Sequence, residues 1–179
     1  DINEPTIIFG NCLHFHENGP KTRGSDVNDA FNNLTLELCD FIIQPSSFWN
    51  RTSWEQNGTI NEDLHFTFDW DWFIRAKKGN VRFTPINEYL SLYRIHEAHK
   101  SGSGGDKRSL ELAKIFATYN DDRIKKAFVK WNRYNNEYKW FHNIAYAARR
   151  YNISFINAIL RLFISTSITQ HEYNNISRM

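Results

Sequence analysis

The distribution of glycine and proline divides this chain into two parts that must fold differently. All eight glycines and all four prolines lie before residue 109, and the stretch from there to the end contains neither. Helix interiors tolerate these two residues poorly, so the C-terminal stretch is free to be helical throughout. Apolar residues recur there at helical spacing, as in Ile124, Ala127, Phe128 and Trp131. We therefore expect a mixed α/β part over residues 1–105 and a helical region over 106–179.

Strand and helix signals alternate in the N-terminal part. The β-rich run 6–15 predicts a strand, and the Gly- and Asn-rich run 17–33 predicts a loop. A short buried strand end is expected at 41–44, followed by a helix that starts at Ser46 or Ser47 and stops at Gly58. The remaining predictions are a helix over 66–78 that Gly79 ends, strands over 81–84 and 89–95 on either side of Pro85, and a loop over 96–107.

Composition excludes several classes of protein. The net charge is only +2, from 22 basic and 20 acidic side chains, which gives no electrostatic basis for binding nucleic acid. Cys12 and Cys39 have neither zinc-ligand spacing nor the pattern of a disulfide framework, which favours a reducing compartment. No apolar run approaches the roughly 20 residues that span a bilayer, and no signal peptide is recognisable. We expect a cytoplasmic protein.

The stretch Phe68–Arg75 carries the most chemical information. On a helix, Asp69 and Asp71 lie about 200° apart and cannot serve the same site. Asp71 and Arg75 are spaced i, i+4 and can pair on one face, which leaves Asp69 free to point elsewhere beside Trp72. A carboxylate between aromatic side chains can act as a general base. The alternative is a pair of solvated acids on a surface helix.

A wider set of short motifs resembles the second half of a family 2 glycosyltransferase. In chain order they are Gln44-Pro-Ser-Ser-Phe48, Trp54-Glu-Gln-Asn-Gly58, Ile60-Asn-Glu-Asp-Leu-His65, Asp69-Trp-Asp-Trp-Phe-Ile-Arg75, and Tyr93-Arg-Ile-His96 with Ser101. The resemblance covers residues 41–103 and implies an inverting, nucleotide-sugar-dependent enzyme of the GT-A fold. The family often has Gly-Asp where this chain has Gly10-Asn11, and the C-terminal region is matched only in being helical.

The resemblance assigns roles to individual residues. Asp69 falls where the family places its catalytic base, although Phe68 replaces the glutamate that usually precedes it. Arg94 and His96 fall in a loop that closes over the diphosphate, where an arginine suits phosphate oxygens and a neutral histidine can complete the coordination of a divalent metal, Mg or Mn. Gln44 and Ser46 would form a floor beside the acceptor.

Two tryptophans complete the implied site, and one expected part of the enzyme has no counterpart. Trp70 or Trp72 would offer a stacking face for a sugar. The family binds its nucleotide in an N-terminal half that ends in a metal-binding Asp-x-Asp motif, and nothing here supplies that half. The run Asp69-Trp-Asp71 matches the Asp-x-Asp pattern, but it lies in the helix on the acceptor side of the implied site and is therefore not the metal-binding motif. We expect the chain to lack about the first hundred residues of such an enzyme and to be inactive alone.

The implied reaction moves a hexose-type sugar from a nucleoside diphosphate to a hydroxyl of a glycan or lipid-linked acceptor, as in surface polysaccharide synthesis. The alternative is a non-catalytic carbohydrate-binding or interaction module on the same scaffold. The apolar stretch 153–168 either packs on the domain or makes a peripheral contact with the inner face of the membrane. The oligomeric state is left open by the sequence.

Overall fold

The computed structural model describes residues 4–16, 19, 24–96 and 104–179, and these form two compact units. The first unit takes in the chain up to Leu36 together with Asp40–Glu111. The second consists of Glu37–Cys39 and Leu112–Met179. Helices and a three-stranded sheet are both present, which confirms the predicted mixed α/β class.

The sheet belongs to the first unit and has β1 (Thr6–His16) at its centre. β1 pairs antiparallel with β2 (Ser47–Trp49) on one side and parallel with β3 (Arg82–Ile95) on the other. Ile7 and Phe9 of β1 are fully buried, so this strand contributes directly to the core. The predicted strand over 6–15 is confirmed.

β3 runs without interruption through Pro85, so the prediction of two separate strands is wrong. Pro85 lies opposite Phe9 in the parallel register. β3 is an edge strand of this sheet, where the missing N–H of a proline can face away from the ladder. The register shifts on either side of Asn11. A Cβ atom at Gly10 would come within 2.8 Å of the backbone carbonyl oxygen of Glu88, so a larger residue at this irregular point would force the backbone to shift.

The first unit contains α1 (Val27–Asn33), α2 (Arg51–Asn57) and α3 (Phe68–Lys78). The loop predicted over 17–33 is wrong at its end, because α1 forms there with Asp26 as its N-cap. Residues 41–43 are irregular and lead into a 3-10 helix, Gln44–Ser46, instead of ending a strand. α2 starts later than predicted because Asn50 is its N-cap, whereas Gly58 ends it as expected.

From Gly105 onward the described chain is helical, as the lack of glycine and proline from residue 109 predicts. The helices are α4 (Gly105–Tyr119), α5 (Asp122–Glu137), α6 (Lys139–Arg150), α7 (Ser154–Ile164) and α8 (Gln170–Ile176). The predicted apolar face of α5 is buried, and the ring of Phe128 stacks on Phe116 at 3.9 Å between centroids. No helix in the described ranges has the length and apolar character needed to cross a membrane.

Candidate functional site

Helix α3 separates the two aspartates as the helical spacing predicts. Asp71 is 6% exposed, and its Oδ2 accepts a hydrogen bond from Arg75 Nε at 2.9 Å. The same guanidinium donates to the carbonyls of Asn57 at 2.7 Å and Thr59 at 2.8 Å. The predicted pairing of Asp71 with Arg75 is therefore present. Its role is structural, because it ties α3 to the segment that follows α2.

Asp69 lies in the first turn of α3 and is only partly buried. Its Oδ1 accepts a hydrogen bond from the backbone N–H of Trp70 at 2.9 Å. The N-terminal end of a helix carries partial positive charge, which stabilises a carboxylate at this position. Asp69 is thus held at the helix start while solvent still reaches the residue, as a carboxylate that exchanges protons with a ligand requires.

A remote acid, Glu111 of α4, holds the turn that precedes Asp69. Its two carboxylate oxygens accept hydrogen bonds from the backbone N–H groups of His65 at 2.9 Å, Phe66 at 2.7 Å and Thr67 at 3.1 Å. Burial raises the pKa of Glu111, but these backbone hydrogen bonds outweigh burial and lower it below its usual range. Thr67 itself makes no side-chain cap on α3. Glu111 therefore accepts hydrogen bonds from the backbone N–H groups of the three residues immediately before α3.

A second carboxylate, Asp40, lies within electrostatic range of Asp69. Burial raises the pKa of Asp40 well above its usual range, the charge of Asp69 raises it further, and Arg108 acts in the opposite direction. The negative charge of Asp69 thus adds to the effect of burial on the pKa of Asp40. Two carboxylates and one guanidinium thus surround the same region of the first unit.

The residues predicted to form a floor beside the acceptor differ in accessibility. Gln44 is exposed at the start of the 3-10 helix. Ser46 is fully buried, and its hydroxyl contacts the carbonyl of Asn11 at 3.0 Å and the hydroxyl of Ser91 at 2.5 Å. Ser46 therefore joins the irregular point of β1 to β3, and its hydroxyl is not open to a ligand.

The two tryptophans predicted to stack on a sugar are both buried. Trp70 is 0% exposed, and its Nε1 donates to the carbonyl of Leu36 at 2.7 Å. The Nε1 of Trp72 donates to the carbonyl of Gly58 at 2.9 Å, and its ring packs against Trp49 and Trp54. Stacking needs an accessible ring face. Within this aromatic cluster Trp54 is exposed and Trp72 is not.

Arg94 and His96 lie at the carboxyl end of β3. Arg94 is exposed and stands opposite Phe15 of β1 in the parallel register, and His96 directly follows the strand. In α/β proteins, ligands bind beyond the carboxyl ends of parallel strands. Ser101 of the same predicted loop lies outside the described residues. Within the described ranges, no three His, Cys, Asp or Glu side chains form a group that could hold a metal, so the described residues supply no metal-binding set around His96.

An apolar depression of about 210 Å³ also lies in the first unit. Its lining consists of Phe31, Leu34, Leu36, Phe41, Lys77 and Phe83. None of the predicted site residues lines it, so it is separate from the chemistry inferred for Asp69.

Sequence reasoning missed Glu111, Asp40 and Arg108. One available signal was the position of Glu111 on α4, next to the buried Leu112 and one turn before the buried Ile115. An acid on the apolar face of a helix is rarely left without partners, so it indicates a hydrogen-bonding role. No spacing rule links Asp40 to Asp69, because they are brought together only by the fold.

Comparison with known proteins identifies no relative. No protein-family model, curated protein or solved structure matches the chain significantly.

Proposed function

We propose that this chain is the acceptor-side part of an inverting glycosyltransferase of the GT-A type, with Asp69 as its general base. The observation that carries the proposal is the difference in environment between the two aspartates of α3. Asp71 is buried and paired with Arg75, whereas Asp69 is partly exposed at the helix start. The ordered motifs over residues 41–103 support the same conclusion through their resemblance to family 2.

In the proposed reaction, Asp69 accepts the proton of the acceptor hydroxyl. The hydroxyl oxygen attacks the anomeric carbon from the face opposite the diphosphate and forms the new C–O bond. The bond between that carbon and the diphosphate oxygen breaks, and its electron pair leaves with the diphosphate, so the configuration inverts. A positioned general base typically contributes a factor of about 10² to 10⁴ in rate.

The departing diphosphate needs positive charge, and Arg94 supplies it in this proposal. Its planar guanidinium can form two parallel hydrogen bonds to phosphate oxygens. The family resemblance implies a divalent metal, Mg or Mn, with His96 as one ligand. The described residues do not assemble the rest of a metal site, so no step is assigned to the metal here.

The test is a transfer assay on the protein in its complete natural form. It is incubated with uridine and guanosine diphosphate hexoses and with hydroxyl acceptors, including glycans and lipid-linked sugars. We expect release of nucleoside diphosphate and a product whose anomeric configuration, read by NMR, is opposite to that of the donor. Retention of configuration, or absence of transfer from every donor, refutes the proposal.

A non-catalytic carbohydrate-binding module is the second candidate, and the exposed Trp54 favours it. Trp54 stacks on Trp49 at 6.5 Å between centroids and is the most exposed tryptophan of its cluster. An exposed tryptophan can stack on a sugar ring without any reaction. This candidate predicts glycan binding that Trp54→Ala abolishes and Asp69→Asn leaves unchanged, whereas the enzyme predicts loss of turnover in Asp69→Asn.

A further inference from the structure

Positive charge is concentrated in the last quarter of the chain. Residues 138–179 contain five basic side chains, Lys139, Arg149, Arg150, Arg161 and Arg178, and a single acidic one, Glu172. Glu172 is already paired with Arg123 at 2.6 Å. The whole chain carries only +2, so this segment holds an excess that the rest of the chain does not.

The same segment exposes large apolar side chains. On α7, Leu160 and Ile164 are buried, whereas Phe155, Ile159 and Leu162 are exposed. The three exposed residues follow i, i+4, i+7 spacing and form an outer apolar face. Several further exposed residues flank them on α6 and in the turn before α7: Trp140, Ile144, Tyr146, Tyr151 and Ile153. Large exposed apolar surfaces mark contacts with a partner or a membrane.

A polar notch of about 90 Å³ lies beside this surface. It is lined by Arg149, Asn152, Asn157, Asn174, Ser177 and Arg178. Its lining contains two guanidinium groups, three amides and no carboxylate. Asn152 sits in the turn between the exposed Tyr151 and Ile153, so the notch and the apolar residues share one turn.

The electrostatics of the notch favour an anion. Burial lowers the pKa of Arg149, and the nearby charge of Arg178 lowers it further. One guanidinium N–H of Arg149 donates to the carbonyl of Ser177, which fixes the side chain at the notch. An anion with several oxygens would relieve the repulsion between the guanidiniums and accept hydrogen bonds from them.

We propose that residues 138–164 with Arg178, the α6–α7 corner, bind the surface of an anionic phospholipid bilayer. The outer apolar face of α7 enters the interface, and a lipid phosphate occupies the notch. Apolar side chains beside arginines complement such a surface in both hydrophobicity and charge. The proposal is independent of the chemistry assigned to Asp69, so either can fail alone.

The test is flotation of the 179-residue chain with phosphatidylcholine vesicles, with and without phosphatidylserine. We expect binding to the vesicles that contain phosphatidylserine and loss of that binding as salt rises. The double variant Phe155→Ser, Leu162→Ser should weaken the binding about tenfold or more, because two exposed apolar side chains no longer enter the interface. Arg178→Gln should weaken it about fivefold, the typical effect of one basic residue near such a surface.

Two matched controls isolate the corner from general effects of polarity and charge. Leu110→Ser changes a leucine of α4 that is more exposed than Leu162, and Lys126→Gln removes an exposed charge from α5. Both should bind as the unaltered chain does. The proposal is overturned if the chain does not float with anionic vesicles or if the controls weaken flotation as much as the corner variants. It is also overturned if light scattering shows that the double variant converts a dimer to a monomer while its binding to vesicles is unchanged.

Discussion

Replacing Glu111 by alanine should loosen the start of α3 and with it the position of Asp69. The substitution leaves three backbone N–H groups, those of His65, Phe66 and Thr67, without their carboxylate acceptor. An unsatisfied buried donor costs about 1–3 kcal/mol. The hydrogen bonds from His65 and Phe66 are only partly buried, so water can partly replace the carboxylate there, and the lower figure applies to each donor. The expected loss in the free energy of unfolding is about 3 kcal/mol.

Urea denaturation followed by tryptophan fluorescence measures this loss, because Trp70 and Trp72 lie on the affected helix. A urea m-value of about 1–3 kcal/mol/M converts it to a midpoint shift of about 1–3 M. Glu111→Gln keeps one acceptor oxygen and should lose about half as much. The matched control is Glu62→Ala, an exposed acid in the turn before α3, which should change stability by less than about 0.5 kcal/mol.

The pH dependence gives a second check on the same hydrogen bonds. The pKa of Glu111 is lowered in the folded state, so its stabilisation is present above the unfolded pKa and is lost as pH falls through the folded pKa. The stability gap between the unaltered chain and Glu111→Gln should therefore be constant from pH 5 to 8 and shrink below about pH 4. A midpoint for Glu111→Ala that matches the Glu62→Ala control would refute the role given to this carboxylate.

Three further substitutions test other parts of the site. Asp40→Asn removes a carboxyl group whose pKa is raised by burial and by Asp69, so the variant should be more stable than the unaltered chain at pH 7–8. That gain should disappear below about pH 3, where Asp40 is protonated in both the folded and the unfolded state, and thermal melts across pH would show whether it does. Arg75→Ala removes the guanidinium that donates to the buried carboxylate of Asp71 and should cost about 2–3 kcal/mol in urea denaturation; a loss below about 0.5 kcal/mol would contradict the structural role of this pair. Ser46→Ala removes one buried and one partly buried hydrogen bond and should lower stability by about 1 kcal/mol, whereas an unchanged melting temperature would show that this hydroxyl does not hold β1 to β3.

Sequence patterns correctly predicted the structural features that depend on residues close together in the chain. The strand at β1, the end of α2 at Gly58, the pairing of Asp71 with Arg75 and the buried face of α5 follow from spacing and caps alone. The errors arose where a contact distant in sequence decides the local structure. The N-terminal N–H of α1 at Val27 is accepted by Asn11, sixteen residues earlier, and this contact was invisible to a reading of the loop by composition.

The candidate site shows the same limit. Helical spacing separated Asp69 from Asp71, but it gave no information on Asp40, Arg108 or Glu111, which reach α3 only through the tertiary fold. The sequence also could not predict which tryptophan rings are accessible to solvent, because tryptophan is common both in protein cores and on sugar-stacking faces. The structure decides between these for Trp70, which is fully buried.

The most direct measurement of the central claim is the turnover of Asp69→Asn in the complete natural protein, compared with Glu62→Gln as a matched control. The amide keeps the shape of the side chain but cannot accept the proton of the acceptor hydroxyl. We predict that kcat falls by about 10² to 10⁴ while the KM for the sugar donor is unchanged, and that the control retains full activity. Turnover in Asp69→Asn within a few-fold of the unaltered protein would contradict the assignment of Asp69 as the base.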